Sequence, residues 1–267
     1  MFVAMSLKLY HSTTSVCAMK ARLVLEEKDL QWESELLNLQ RGDQHAPAYL
    51  KLNPNAVVPT LVHDGRPVIE SSVILYYLDE VFPKPPLMPR DPHQRAAVRQ
   101  YNKMIDEYVH NSCSILTFAT AFRGWLGGLT AEQIDARLAK SPNKKRVEHK
   151  RDVALYGLES KFVREALDYH LKLLKTMDAA LARGPWLAGE AFSLADAAVI
   201  PYILRLDLLK MSGLFSAKVE AWYARMREHP SVKKEMLERM TAQDRAPFEK
   251  LDPDPWPVIR KLKEEIA

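Results

Sequence analysis

Asn53-Pro54-Asn55-Ala56-Val57-Val58-Pro59-Thr60-Leu61-Val62-His63-Asp64-Gly65-Arg66-Pro67-Val68-Ile69-Glu70-Ser71-Ser72 decides the fold. Its centre reads as a hairpin. Thr60–His63 and Arg66–Ile69 are strand-forming runs, and the two-residue Asp64-Gly65 loop supplies the positive φ angles that a tight hairpin turn requires. Before the hairpin, Pro59 pushes Val58 toward an extended conformation. After it, Ser71 reads as the N-cap of a helix that runs to Val81.

Working outward, Leu7-Lys8-Leu9-Tyr10 alternates with period two, and Val16 to Glu27 puts Val16, Met19 and Leu23 on one helical face. A second strand is predicted around Trp32 to Leu37. The order βαβ, a short irregular or helical stretch, then ββα is the α/β pattern of a thioredoxin-like domain, βαβαββα, over residues 1–82. Phe82-Pro83-Lys84-Pro85-Pro86-Leu87-Met88-Pro89 cannot continue a helix, because proline lacks the amide donor and fixes φ. Residues 83–89 are therefore read as a linker. Asp91-Pro92 then opens a helix on which Val98, Tyr101, Ile105, Tyr108, Ser112 and Ile115 recur at three and four. Thr130-Ala131-Glu132-Gln133 and Ser193-Leu194-Ala195-Asp196 are two further helix starts of the capping-box kind. Pro201 marks a kink, and Asp252-Pro253-Asp254-Pro255 breaks the tail. No strand is predicted over 90–267, so this part is expected to be an all-α helical bundle.

The chain has 267 residues, 47% of them hydrophobic, which is enough material for substantial cores. No apolar run approaches the roughly 20 residues of a membrane span, and Met1-Phe2-Val3-Ala4-Met5 lacks the basic region of a targeting peptide. Two cysteines make a poor disulfide framework and no Cys-rich metal site, so free thiols, no metal and a cytoplasmic location are expected. The net charge is +4, yet residues 1–85 carry 8 Lys and Arg against 10 Asp and Glu, so the excess lies further on. Part of it is the run Lys140 to Arg151. Such a run suits an anionic partner or a solvated helix face, and it lacks the aromatic interleaving and zinc-ligand spacing of nucleic-acid modules.

Chemistry is expected where the first strand gives way to the first helix. Cys17 falls in that helix's first turn, where unpaired N–H groups and the positive end of the helix dipole favour a thiolate, and Ser15 lies two residues earlier. Either a protein thiolate or a bound ligand's thiolate is stabilised by such a spot. Cys113, in mid-helix, reads as a packed thiol.

These pieces together resemble the cytosolic glutathione transferase superfamily over essentially the whole chain. The resemblance is carried by the Ser15/Cys17 segment, Asn53-Pro54 through Val58-Pro59-Thr60-Leu61, Glu70-Ser71, the proline-rich linker and Phe192-Ser193-Leu194-Ala195-Asp196. It implies an N-terminal domain that binds glutathione as cosubstrate, a helical domain that completes a cleft for a hydrophobic electrophile, and a homodimer. Carried over residue by residue, Val58 pairs with the cysteinyl backbone of glutathione beside a cis Pro59. Glu70 and Ser71 hold the γ-glutamyl end, and Gln44 and His45 face the glycyl carboxylate. Tyr108, Asn111 and Phe122 are candidates for the electrophile pocket. Ala56-Val57 stands where many relatives have Gly-Lys, so a lysine contact to glutathione is missing there.

Within the superfamily, the segments around Cys17 and Val58 are similar to those of bacterial tetrachlorohydroquinone reductive dehalogenases, and the long helical part resembles bacterial aryl-ether-cleaving members. The resemblance thus implies two catalytic candidates. Ser15 activates the glutathione thiol for attack on an electrophile, or Cys17 exchanges thiols with a glutathione conjugate. A non-catalytic ligand-binding or partner-binding module is the third alternative, since fold alone does not fix function.

Overall fold

A computed structural model describes residues 6–126 and 128–266, so the N-terminal Met1–Met5 segment lies outside the described residues. Its four-stranded sheet is built around β1 (Leu7–His11), whose alternate residues Leu7, Leu9 and His11 point into the core. β1 pairs in parallel with β2 (Glu33–Leu36) and antiparallel with β3 (Thr60–His63), which pairs in turn with β4 (Arg66–Val68). The strand order is β2-β1-β3-β4. Asp64 and Gly65, at φ 47° and 77°, make the turn that the Asp-Gly pair predicts.

Between β1 and β2 runs α1 (Val16–Glu27), and a single helical turn, α2 (Pro47–Leu50), precedes β3. Val16, Met19 and Leu23 face the core as their spacing predicts, but so do Lys20 and Arg22. The helix is enclosed because α3 (Ser71–Val81) covers one side and the helical part of the chain covers another. The element order through α3 is βαβαββα.

The proline-rich stretch beyond α3 is tied back to α1, where Lys28 Nζ donates to Asp79 Oδ1 and to the carbonyls of Phe82 and Pro85 at 2.7 to 2.8 Å. From there on the described residues form helices, with only an isolated bridge between Trp186 and Gly189. They are α4 (Pro92–Met104), α5 (His110–Ala119), α6 (Ala131–Leu138), α7 (Lys144–Tyr156), α8 (Val163–Leu181) and α9 (Leu194–Leu208). α10 (Ala217–Glu228), α11 (Pro230–Val232), α12 (Ala242–Glu249) and α13 (Trp256–Ile266) complete the chain. α9 is the central helix, entirely buried from Leu194 to Leu206, and it carries Pro201 within it.

One expectation is corrected inside the long helix that opens at Pro92. Ile105–Val109 forms a π-helical turn between α4 and α5. The wider turn adds a residue to the repeat, so Val109 takes the buried place and Tyr108 is left 43% exposed. Ser112 and Ile115 return to the core after it.

Candidate active site

The loop between β1 and α1 is held from both parts of the molecule. Buried Arg22 donates to the carbonyls of Ser12 and Thr13, and buried Arg205 of α9 donates to the carbonyl of Thr14 and to Thr117 Oγ1. Ser15 then caps α1, its Oγ accepting from Ala18 N at 3.3 Å. That bond uses a lone pair of the hydroxyl and leaves its O–H free to donate.

Cys17, in the first turn of α1, is half-buried. Its Sγ lies 3.4 Å from His110 Nδ1 at the start of α5 and 3.8 Å from the Tyr202 hydroxyl of α9. Tyr202 OH is in turn 3.3 Å from His110 Nδ1, while a guanidinium nitrogen of Arg146 in α7 approaches His110 Nε2 at 3.3 Å. Guanidinium only donates, so Arg146 faces Nε2 as a donor, and Nδ1 is the ring nitrogen nearest the sulfur and the phenol oxygen. Burial pushes the Cys17 thiol up, but His110, then the Lys20 ammonium and the Ser71 hydroxyl, outweigh it and bring the thiol from 9.0 down to about 6. Cys113 behaves oppositely, since burial drives its thiol up to about 11. Tyr202, fully buried beside the sulfur, is held well above the usual phenol value by that burial.

Lys20 is itself buried beneath the site, with Nζ 3.2 Å from Ser72 Oγ and 3.7 Å from Asp106, and Ser72 Oγ donates to Asp106 at 2.8 Å. Ser71 is the first residue of α3 and Glu70 is its cap, at φ 68°, which corrects the expectation that Ser71 would cap the helix. The Ser71 hydroxyl is buried, and it is the last of the groups that draw the Cys17 thiol down. Asn55 Nδ2 donates to Glu70 Oε1 at 3.1 Å, so the two ends of the decisive stretch meet.

The Val58–Pro59 bond is cis. Asn53 Nδ2 and the Tyr49 hydroxyl both hold the Val57 carbonyl. Among the described residues no hydrogen bond engages the amide or carbonyl of Val58, although its side chain is buried. An unpaired backbone donor and acceptor at that depth suit an extended ligand backbone. Gln44 Nε2 reaches the Leu39 carbonyl at 3.4 Å, and its Oε1 is buried without a partner. Burial, followed by the charges of Lys140 and Lys150, holds the His45 imidazole below its ordinary range.

Of the residues foreseen from sequence, Ser15 caps the helix turn that carries Cys17, and Ser71 acts on the Cys17 thiol only as a minor lowering influence. Tyr108 stacks on Tyr169 with centroids 4.9 Å apart, and Asn111 bonds His149 Nδ1 at 3.0 Å. Phe122 stacks on Trp125 at 3.7 Å and packs against Phe248, buried in the core. Among the described residues none of these three hydrogen-bonds to Cys17. His110, Tyr202, Arg146 and Lys20 are the neighbours that sequence reasoning missed. Of the four, Lys20 lies in the Ser15/Cys17 segment, three residues beyond Cys17, and Arg146 falls in the basic run 140–151, where it stands out for charge alone. No cluster of His, Cys, Asp and Glu able to hold a metal occurs among the described residues. Nor is any helix among them long and apolar enough to cross a membrane.

Family models for the glutathione S-transferase N-terminal and C-terminal domains match residues 9–86 and 162–225. Protein LigF of Sphingobium sp. strain SYK-6 is 29% identical over 254 residues, covering 90% of this chain and 96% of that protein. Glutathione S-transferase TCHQD of Arabidopsis thaliana is 26% identical over 236 residues, covering 85% of this chain and 88% of its own length. The crystal structure of the Sphingobium β-etherase LigF superposes with a TM-score of 0.77 at 25% identity, over 86% of this chain and 98% of that one. With both domain types matched in order and the relatives aligned nearly end to end, the chain belongs to the glutathione S-transferase family, whose enzymes use glutathione as cosubstrate.

Proposed function

We propose that the protein transfers the glutathione thiolate to an aromatic electrophile, with Ser15 donating to the glutathione sulfur and Cys17 acting as a second, protein-borne thiolate beside it. A free thiol of pKa about 8.5 is only about 3% ionised at pH 7, and lowering it by about 2 units, worth about 2.7 kcal/mol, makes the thiolate predominant. The free O–H of Ser15 and the N-terminus of α1 are suited to supply that. The thiolate attacks the carbon that bears the leaving group, which departs with its electron pair, and a thioether forms. Cleavage of an aryl ether is the same substitution with an aryloxide leaving, a reading favoured by the end-to-end similarity to a protein described as a β-etherase.

The single observation that carries the role of Cys17 is its thiol at 3.4 Å from His110 with a pKa drawn down to about 6, which favours the thiolate at neutral pH. Such a thiolate attacks the sulfur of a glutathione thioether. The carbon leaves with the bonding pair and takes a proton, and Cys17 is left in a mixed disulfide with glutathione. A second glutathione displaces it as oxidised glutathione and restores the thiolate. The net change is reduction of one carbon–leaving-group bond to carbon–hydrogen at the expense of two thiols.

The test compares Ser15→Ala with Cys17→Ser on a conjugation substrate and on a glutathione mixed disulfide, with mass spectrometry after treatment with oxidised glutathione. The expected result is an adduct on Cys17, loss of exchange in Cys17→Ser and a fall in conjugation of about a hundredfold in Ser15→Ala. An unmodified Cys17 beside a modified Cys113 overturns thiol exchange, and a conjugation rate unmoved in Ser15→Ala reduces Ser15 to a helix cap. The family reading also has the protein working as a cytoplasmic homodimer, for which light scattering gives the mass in solution.

A further inference from the structure

The basic run that begins at Lys140 does not behave as one solvated face. In α7, Arg151 is paired with Asp135 at 2.7 Å, and Lys144 and Lys145 are exposed. Arg146 and Lys150, one turn apart, point inward instead. Arg146 abuts His110, and Lys150 Nζ lies 4.4 Å from the centroid of the Phe118 ring. Neither makes an ion pair with a carboxylate among the described residues. Two like charges at this spacing repel, and partial burial of a cation without a counter-charge costs free energy. The strain registers on both groups. Burial, then Arg146, pushes the Lys150 ammonium down to about 7, and burial lowers the Arg146 guanidinium, with Cys17 and Tyr202 drawing it partly back. The field of Lys150 also reaches His45.

We propose that Arg146 and Lys150 form a carboxylate-binding wall of the cleft beside Cys17, occupied by a carboxylate of one of the two molecules that meet there. Guanidinium supplies the paired donors a carboxylate accepts, and the ammonium supplies a point charge one helical turn away. The two sources are the glycyl carboxylate of glutathione and a carboxylate on the aromatic co-substrate. The first would supply from α7 the cation that Ala56-Val57 lacks, and the second would make the enzyme selective for acidic aromatics. The wall rests on the glutathione reading above, and its test separates the two.

Isothermal titration of wild type, Lys150→Met, Lys150→Gln and Lys150→Arg uses four probes: glutathione, its glycine ethyl ester, S-benzylglutathione and S-(4-carboxybenzyl)glutathione. Wild type is expected to prefer the carboxylate-bearing member of one pair. That preference should fall about tenfold in the Met and Gln variants and persist in Lys150→Arg. A preference within the first pair assigns the wall to glutathione, and one within the second assigns it to the co-substrate. Wild type that binds all four without preference, or neutral variants that keep the wild-type preference, overturns the wall while leaving the glutathione reading intact. Wild type that binds none of the four overturns both.

Discussion

At the scale of the residue, Cys17 owes its chemistry to groups that compete. Burial alone would hold the thiol protonated, and only His110, Lys20 and Ser71 acting together reverse that. The consequence is a reactivity profile with a definite sign. Alkylation by iodoacetamide consumes thiolate, so its rate at Cys17 should be flat above pH 7 and fall as the pH drops through about 6, while Cys113 stays slow to about pH 11. In His110→Ala the midpoint should rise by about one unit or more, which removes thiolate at pH 7. A midpoint unchanged in that variant would mean that the imidazole does not stabilise the sulfur. Ser15, Cys17 and Val58-Pro59 stand out in sequence because each sits at a strand end or helix start with its own local signature. His110 and Tyr202 do not, since they are 93 and 185 residues from Cys17 and reach it only through the packing of α5 and α9 around α1.

Elements were legible where they carry their own start and stop signals. The Thr130 and Ser193 capping boxes both form, and Asp91 caps α4 with its side chain accepting from Gln94 N. A change of pitch is what periodicity could not reveal. The π-helical turn at 105–109 keeps hydrophobic residues at familiar spacings yet rotates the face that α5 presents, and His110 is the first residue after it, at the sulfur. The Ser193 box has a role beyond capping. Asp196 is fully buried and accepts from Leu187 N, Trp222 Nε1, Ser193 N and Ser193 Oγ at 2.9 to 3.1 Å, joining three segments around the start of α9. Asp196→Ala orphans these donors and should lower stability by about 3 kcal/mol in denaturant unfolding. A loss below about 1 kcal/mol would show that water or rearrangement satisfies them. Because α9 carries Tyr202 and Arg205, the damage should extend to Cys17 reactivity in the surviving folded protein.

Across the whole molecule, the two differently built halves share one core. A single hydrophobic cluster contains Leu9 of β1, Leu23 of α1, Leu75 of α3, Ile200 of α9 and Ile259 of α13, so no layer of solvent divides sheet from helices. A chain so legible as two compositional halves is thus joined by contacts that neither half announces. The far end of the chain closes back on the first helix through charge as well. Glu235, 1% exposed, lies 3.4 Å from Arg22 Nε and accepts from Arg239 at 2.6 and 2.9 Å, while Arg22 also donates to the Glu235 carbonyl. Arg22 is the residue that holds the Ser12 and Thr13 carbonyls, so this contact also braces the loop between β1 and α1. Glu235→Ala strands a fully buried guanidinium and should cost about 3 to 5 kcal/mol. If the core acts as one unit, wild type and variant should each unfold in a single guanidinium transition, superimposable by far-ultraviolet circular dichroism and tryptophan fluorescence, with the variant's midpoint lower and its slope the same. Two separated transitions in the wild type would mean that the halves unfold independently. In that case the depressed Cys17 pKa should vanish at the first transition, when His110 and Tyr202 leave the sulfur.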